Sequence, residues 1–310
     1  MKKILFVHQL KAHLPELDAY SNFFRKYGFE TEELSYKDLT SIDEKEMKKT
    51  ILWYFMGLYI KKSIFTPFLT IHDYRSLSVG MFARVKDKIK KHMNFKPDIR
   101  VFLNDYVKES LNFNDSTPSF MIDMGLPSSI VHFIEQPVNP EFDFIYSGVI
   151  SNERKIDKLI DRFLHTYGKT KSLLLVGLYN PKIKERYEKF NNILFTGKVS
   201  QKEVFRLVKK SHFAISAIPN KYPYNVQTPT KLLEYLALRS RVIMSNSWIA
   251  RKILYETDNH DRVFIMDNEW NFPSENELEA IKPTSLNVDD YLWDKIIERS
   301  NLLESIKQRL

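Results

Sequence analysis

The residues best suited to chemistry lie between Ala217 and Asn246, AIPNKYPYNVQTPTKLLEYLALRSRVIMSN, where a proline- and tyrosine-rich loop leads into a helical pattern and then a buried strand. Thr228 and Thr230 flank Pro229 at the expected helix start. Free backbone N–H groups and the helix dipole favour an anion there, such as a diphosphate. Lys231 adds a full positive charge, and Glu234 follows on the same face, at spacings of three and four from Lys231 and Thr230. That places a carboxylate where it can reach past phosphates toward two vicinal hydroxyls, such as those of a ribose. A plainer alternative stays open at this point, with Thr230 an ordinary N-cap and Lys231 and Glu234 a surface ion pair.

Elements must hold these residues, and the composition says what kind. At 310 residues and 43% hydrophobic, the chain can fill the cores of two medium domains. Its most apolar run, ILWYFMGLYI from Ile51 to Ile60, ends at Lys61 and Lys62 and is too short to span a bilayer. The start, MKKILFVHQL, matches a secretion signal only in its two lysines, which predicts a cytosolic protein beginning at Met1. With no cysteine, disulfides, thiolate metal sites and cysteine nucleophiles are excluded. The net charge of +8 points to anionic partners, but the 47 basic residues are interleaved with 39 acidic ones. Nucleic acid is therefore not an expected partner.

Short β-rich runs alternate with longer helical patterns, which predicts an α/β fold with parallel sheets covered by helices. In the first half the strand candidates are Lys3 to His8, Glu32 to Ser35, Leu69 to His72, Ile99 to Leu103 and Ser119 to Ile122. In the second half DFIYSGV, SLLLVG, ILFTGKV, FAISAI, RVIMSN and RVFIMD alternate with helices, a Rossmann-like pattern. QPVNPE, from Gln136 to Glu141, reads as a linker, so the expected domains are 1–138 and 139–288 with a ligand cleft between the carboxyl ends of their sheets. Residues 289–310 read as a terminal helical region that packs back on the first domain.

The PTKLLEYLALRSRVIMSN segment closely resembles the signature of glycosyltransferase family 4, the "group 1" transferases, in which a loop with aromatic and proline residues precedes PTKLLEYLALGxPVIxSN. The resemblance continues through IYSGVISNERKIDKLIDRF, LLLVG and NNILFTGKVSQKEVFRLVKKS, nearly the whole second half. It implies a GT-B fold of two Rossmann-like domains with parallel sheets facing each other across a cleft, whose closure excludes water. It further implies that Gly148, Arg154, Gly177, Lys198 and Val199 border the donor, together with Thr230, Lys231 and Glu234. Arg154 suits the role because a guanidinium binds phosphate oxygens bidentately and offsets charge on a leaving diphosphate. Read alone, Arg154 is equally a solvated residue of the run ERK.

The chain departs from the family at two positions. Val149 stands where an arginine often follows Gly148, and Lys155 or Lys158 is the expected substitute. Val226 stands where many members carry a glutamate eight positions before the one matching Glu234, leaving Asn225, Gln227 and Thr228 as neutral substitutes. In the first half LTIHDYRSLSVG is similar to the strand and loop that face the donor. That resemblance makes His72 a catalytic candidate beside Arg154 and Lys231, with Arg75 a candidate on the acceptor side. Gln9, in the stretch HQLKAHLPEL that replaces the family's Gly-rich loop, is an acceptor-side candidate that the resemblance does not carry over. His72 and Arg75 as a structural histidine and a surface arginine remain the alternative.

Met81 to Phe95, MFARVKDKIKKHMNF, spaces Phe82, Val85, Ile89 and Met93 by threes and fours among lysines. This basic amphipathic helix is a candidate for an anionic membrane surface, helped by the aromatic run Trp53 to Tyr59, or else an ordinary core-facing helix. Taken together, the resemblance implies a metal-independent hexosyltransferase that needs no cofactor. It would move a sugar from a nucleotide diphosphate sugar, a UDP-sugar for preference, to a glycan or lipid-linked glycan. Retention of configuration is expected, in bacterial surface polysaccharide synthesis such as O-antigen or capsule, on the inner face of the cell membrane. Two other readings stand beside it: a sugar-nucleotide epimerase or phosphorylase on the same scaffold, and a catalytically inactive transferase-like partner subunit.

Overall fold

The computed structural model describes residues 2–8, 14–59, 63–136 and 138–310. It divides into two units, the first formed by Met1–Gly125, Val226–Thr228 and Asp290–Leu310, the second by Leu126–Asn225 and Pro229–Asp289. Gln9, the acceptor-side candidate, lies outside the described residues.

The first unit carries strands β1 (Lys3–His8), β2 (Glu30–Ser35), β3 (Thr50–Phe55), β4 (Leu69–Tyr74), β5 (Ile99–Phe102) and β6 (Ser119–Met121). They form one parallel sheet in the order β2-β1-β3-β4-β5-β6. Its helices in the N-terminal part are α1 (Pro15–Lys26), α2 (Glu44–Met47), α3 (Ala83–Met93) and α4 (Asp105–Leu111). The second unit carries α5 (Val131–Ile134), β7 (Phe142–Ser147), α6 (Ile156–Tyr167), β8 (Leu173–Val176), α7 (Pro181–Tyr187), β9 (Ile193–Gly197) and α8 (Gln201–Lys209). It continues through β10 (Ser211–Ser216), α9 (Thr230–Ala237), β11 (Arg241–Ser245), α10 (Trp248–Glu256), β12 (Phe264–Met266) and α11 (Glu275–Ala280). This sheet is also parallel, in the order β12-β11-β10-β7-β8-β9. Two helices, α12 (Trp293–Arg299) and α13 (Leu302–Lys307), close the chain.

The expected α/β class with two Rossmann-like parallel sheets is therefore present. One element differs from the sequence reading: Thr50–Phe55 is a central strand of the first sheet, flanked by β1 and β4. A strand covered by helices on both faces shows no alternation of polar and apolar residues, so it reads as a continuous apolar run. This corrects the expectation that the aromatic run from Trp53 to Tyr59 helps a membrane surface. Trp53, Tyr54, Phe55 and Tyr59 are all buried.

One face of the first sheet packs Phe6, Trp53 and Ile71 against Tyr20 and Phe24 of α1 and against Trp293, Ile297 and Ile306 of the closing helices. The other packs Val7, Leu52 and Tyr54 against Leu39, Met47 and Tyr59. In the second unit Phe144, Leu175 and Ile215 meet Ile160 and Phe163 of α6. A core of this size outweighs local propensity, which is how short helices such as α7 persist.

Candidate functional site

In the second sheet the chain steps outward from β7 through β8 to β9 on one side and from β10 through β11 to β12 on the other. The topological switch lies between β7 and β10, and in such sheets the crevice at the carboxyl ends of these strands takes the ligand. Three glycines line that edge. Gly148 ends β7 and donates its N–H to the Val176 carbonyl at 2.9 Å; Gly177 ends β8 and donates to the Gly197 carbonyl at 2.9 Å. A Cβ on Gly177, at φ +138°, would stand 2.1 Å from the Gly148 carbonyl oxygen. Only glycine lets the two strand ends close so tightly, and it leaves bare backbone at the rim.

α9 enters beside this edge. Its first turn carries no side-chain cap, the N-cap being Pro229, so Thr230 is not the capping residue of the plainer alternative. Nor is the Lys231–Glu234 pair an ordinary surface one. Glu234 is 1% exposed, with Lys231 Nζ 2.6 Å from Oε2 and Gln201 Nε2 donating to Oε1 at 3.3 Å. Burying a carboxylate is costly unless it is paired and hydrogen-bonded, and these two partners meet that cost. Lys231 stays about a third exposed, open to a second anion.

Two hydroxyl clamps set the position of α9 and of the loop before it. The Tyr235 hydroxyl lies 3.0 Å from Ser147 Oγ and accepts the Ser147 N–H at 3.2 Å, tying α9 to the end of β7. Ser245 Oγ accepts the Ile218 N–H at 2.8 Å and donates to the Ile218 carbonyl at 2.8 Å, fixing the loop where it leaves β10.

Across the rim, α6 begins at Lys155 in a left-handed conformation (φ 56°), again without a side-chain cap. Arg154 is half-buried, its guanidinium 5.8 Å from the Tyr224 ring. It also faces Tyr146, whose phenol is raised by burial and pulled back by this cation. Asn225 is half-buried next to Tyr224, Lys155 and Lys198 are exposed, and Val199 is half-buried at the turn into α8. Lys158, one of the two expected substitutes for the missing arginine, is instead held by Glu269 at 2.8 Å. Val149 is exposed. Gly148, Gly177, Arg154, Thr230, Lys231 and Glu234 thus stand on adjoining strand ends and helix starts of one unit. Gln227 and Thr228 fall with Val226 in the other unit, where Asn104 Nδ2 donates to the Val226 carbonyl at 3.1 Å.

His72 and Arg75 sit elsewhere than expected. His72 is fully buried, its ring centroid 4.6 Å from Phe95, 5.6 Å from Tyr54 and 6.3 Å from Tyr74, and neither ring nitrogen has a hydrogen-bond partner. Burial, with Arg100 nearby, drives its pKa down to about 3. It touches no open surface and is neutral, so the structural histidine fits it. Arg75 is no surface arginine either. It donates to the Ile122 carbonyl and stands 3.7 Å from Glu16. Beside it Asp73 accepts from Trp53 Nε1 at 3.1 Å, and burial pushes the Asp73 carboxyl up to about 7 against the pull of Arg75. Arg75 is thereby occupied inside the first unit.

Gln201, Tyr235, Ser147, Ser245 and Gly197 were not singled out from sequence. Ser200-Gln201 at the head of a helical run was the one available signal for Gln201, since a helix start aims side chains toward the strand ends.

No protein-family profile matches the chain, and no curated protein matches it in sequence. Solved structures do match in fold. HepE from Anabaena, solved with UDP and glucose, is similar at 10% identity and a TM-score of 0.72, over 99% of this chain and 100% of that one. Sucrose-phosphate synthase from Thermosynechococcus elongatus aligns at 10% identity and a TM-score of 0.66, over all of both chains. UDP-N-acetylglucosamine 2-epimerase from Rickettsia bellii aligns at 13% identity and a TM-score of 0.55, over 100% of this chain and 96% of that one. At such identities the likeness is one of fold, and the fold is the two-domain, Rossmann-like GT-B architecture.

Proposed function

We propose that the chain is a glycosyltransferase that takes a hexose from a nucleotide diphosphate sugar, with UDP as the favoured nucleotide, and transfers it to a glycan or lipid-linked glycan. The observation that carries the reading is the start of α9. There an uncapped helix N-terminus, the partly exposed Lys231 and the buried, twice-bonded Glu234 converge beside a rim of glycine backbone. Positive charge and free amides suit a diphosphate, and a fixed carboxylate suits ribose hydroxyls. The likeness in fold to HepE, a protein solved with UDP, UDP-glucose and glucose, supports the choice of nucleotide.

In the proposed reaction an acceptor hydroxyl oxygen bonds to the anomeric carbon as the bond from that carbon to the diphosphate oxygen breaks. The proton passes to a phosphate oxygen of the departing nucleotide, and attack on the face the diphosphate leaves retains configuration. Lys231, Arg154 and the amides at the α9 start offset charge as it builds on the leaving group, the work a divalent cation does elsewhere. Lys155, Lys198 and Asn225 are further donor contacts in this reading, and transfer without added metal is part of the proposal. A role in bacterial surface polysaccharide synthesis, at the cytoplasmic side of the membrane, is proposed from the sequence resemblance and the basic amphipathic stretch Met81 to Phe95.

A second reading, sugar-nucleotide epimerisation, is favoured by the likeness to the Rickettsia bellii epimerase. It predicts turnover of a UDP-sugar with no acceptor present. The test is a thermal-shift series with UDP, GDP, ADP, CMP and dTDP without added metal, on the wild-type chain and on Glu234→Ala. A ligand that binds only the folded state raises its apparent stability. A shift selective for one nucleotide and absent from the variant supports the donor site, and a well-folded chain that responds to none overturns it.

A further inference from the structure

Helix α3 turns its apolar stripe away from the core. Val85, Ile89 and Met93, at i, i+4 and i+8, share one face and are 51, 45 and 46% exposed; ahead of them Met81 and Phe82 are 77 and 69% exposed. Ala83 and Asp87 are the residues that turn inward. An ordinary surface helix does the reverse, so a contiguous exposed stripe of this kind marks an interaction surface. Phe82 even adopts a left-handed backbone (φ 60°), which a bulky residue disfavours, at the position that holds its ring in solvent.

The charge around the stripe is of one sign. Between Val79 and Pro97 the sole acidic residue is Asp87, and it is buried, its Oδ1 accepting the Ser78 N–H at 2.9 Å. The exposed polar residues of the helix are Arg84, Lys86, Lys88 and His92. The patch extends beyond the helix at its C-terminal end. Asn94 donates to the Gly57 carbonyl at 3.2 Å and accepts the Tyr59 N–H at 2.8 Å, which holds the exposed Leu58 there. No helix among the described residues is long and apolar enough to cross a membrane.

We propose that this face of the first unit docks on an anionic lipid bilayer, with Phe82, Val85, Ile89 and Met93 entering the headgroup boundary and the flanking cations meeting lipid phosphates. Apolar side chains give depth and basic ones give selectivity for negative charge, so both halves of the patch are needed. The inference goes beyond the sugar-transfer reading and does not depend on it.

The test is co-sedimentation of the whole chain with phosphatidylcholine vesicles, with and without roughly one third phosphatidylglycerol, at low and high salt. Binding to the anionic vesicles at low salt is expected, at least about tenfold weaker on neutral vesicles and weakened by salt. Phe82→Ser with Ile89→Ser, and separately Lys86→Glu with Lys88→Glu, each abolish it without lowering Tm, because the altered side chains are exposed. Equal pelleting with neutral and anionic lipid, no pelleting, or wild-type binding by the Phe82/Ile89 variant overturns the proposal. A concentration-dependent dimer that the Phe82/Ile89 variant dissolves also overturns it, since a second copy then covers the stripe. The UDP thermal shift, read on the same samples, reports the donor site separately and is unchanged by these substitutions.

Discussion

The Tyr235 hydroxyl sits 3.0 Å from Ser147 Oγ and 3.2 Å from the Ser147 amide nitrogen, joining the helix that carries Lys231 and Glu234 to the strand that ends at Gly148. Both residues are buried, and burial raises the phenol well above its ordinary pKa, so the bond is made by a neutral tyrosine. Tyr235→Phe leaves a buried N–H and hydroxyl without this partner and is expected to cost about 1–3 kcal/mol, read by urea unfolding. UDP affinity falls with it, because the start of α9 loses its register against the glycine rim. Unchanged affinity would assign the bond to stability alone.

Gly177→Ala is expected to be far worse than alanine at a glycine with room around it. The new Cβ would stand 2.1 Å from the Gly148 carbonyl oxygen, so β7 and β8 must separate at their ends. The expected loss is at least about 3 kcal/mol, combining backbone strain with overlap. Gly28→Ala, at φ +82° with nothing within 4 Å, bears only the conformational term of about 1–2 kcal/mol. Equal denaturation midpoints for the two variants would contradict the close contact.

Glu234→Gln keeps the shape and removes the charge. Calorimetry is expected to show UDP binding weakened at least about tenfold, roughly 1.4 kcal/mol, with the fold retained because Lys231 can reach water. If the variant binds UDP as tightly as wild type, the carboxylate is not reading the nucleotide.

Two neighbours on β4 titrate in opposite directions. Asp73, at about 7 in the folded chain against 3.8 ordinarily, contributes stability that is fully present below pH 3.8 and is lost as pH rises toward 7. His72, at about 3 against 6.5, contributes stability that is present above pH 6.5 and is lost as pH falls toward 3. Between pH 4 and 6.5 the two slopes oppose each other. His72→Leu should therefore become more stable than wild type on acidification across that window, and Asp73→Asn less. Chemical denaturation at pH 4.5 and 6.5 checks the sign. UDP binding by His72→Leu should be unchanged, as the ring lies in the core of the first unit.

Periodicity carried most of the fold. The strands of the second unit follow the expected alternation because helices such as α6 and α8 have one apolar face each, while their partner strands are short apolar runs. β3 escaped because a strand buried on both faces has no alternation to detect, and its aromatic residues suggested a surface role instead. At the site, the types and spacing of Lys231 and Glu234 marked a helix start next to a strand end. Spacing along one helix said nothing of Gln201, 33 residues away, or of Tyr235 reaching Ser147, 88 residues away. His72 stayed open between a catalytic and a structural role for the reason that makes strand ends ambiguous. Successive residues point to opposite faces, and sequence alone does not say that His72 turns into the aromatic cluster while Asp73 meets Trp53.

Ser245 grips Ile218 through both its amide and its carbonyl, and Tyr235 grips Ser147 farther along the chain, so the residues from Pro219 to Asn225 hang between two fixed posts. A loop mounted in this way behaves as an exchangeable cartridge. Its length and side chains can be rewritten at a small entropic cost while both attachment points keep their geometry. Under the proposed sugar-transfer reading, this is the stretch to randomise in changing ligand preference, and the clamping residues are the ones to leave alone.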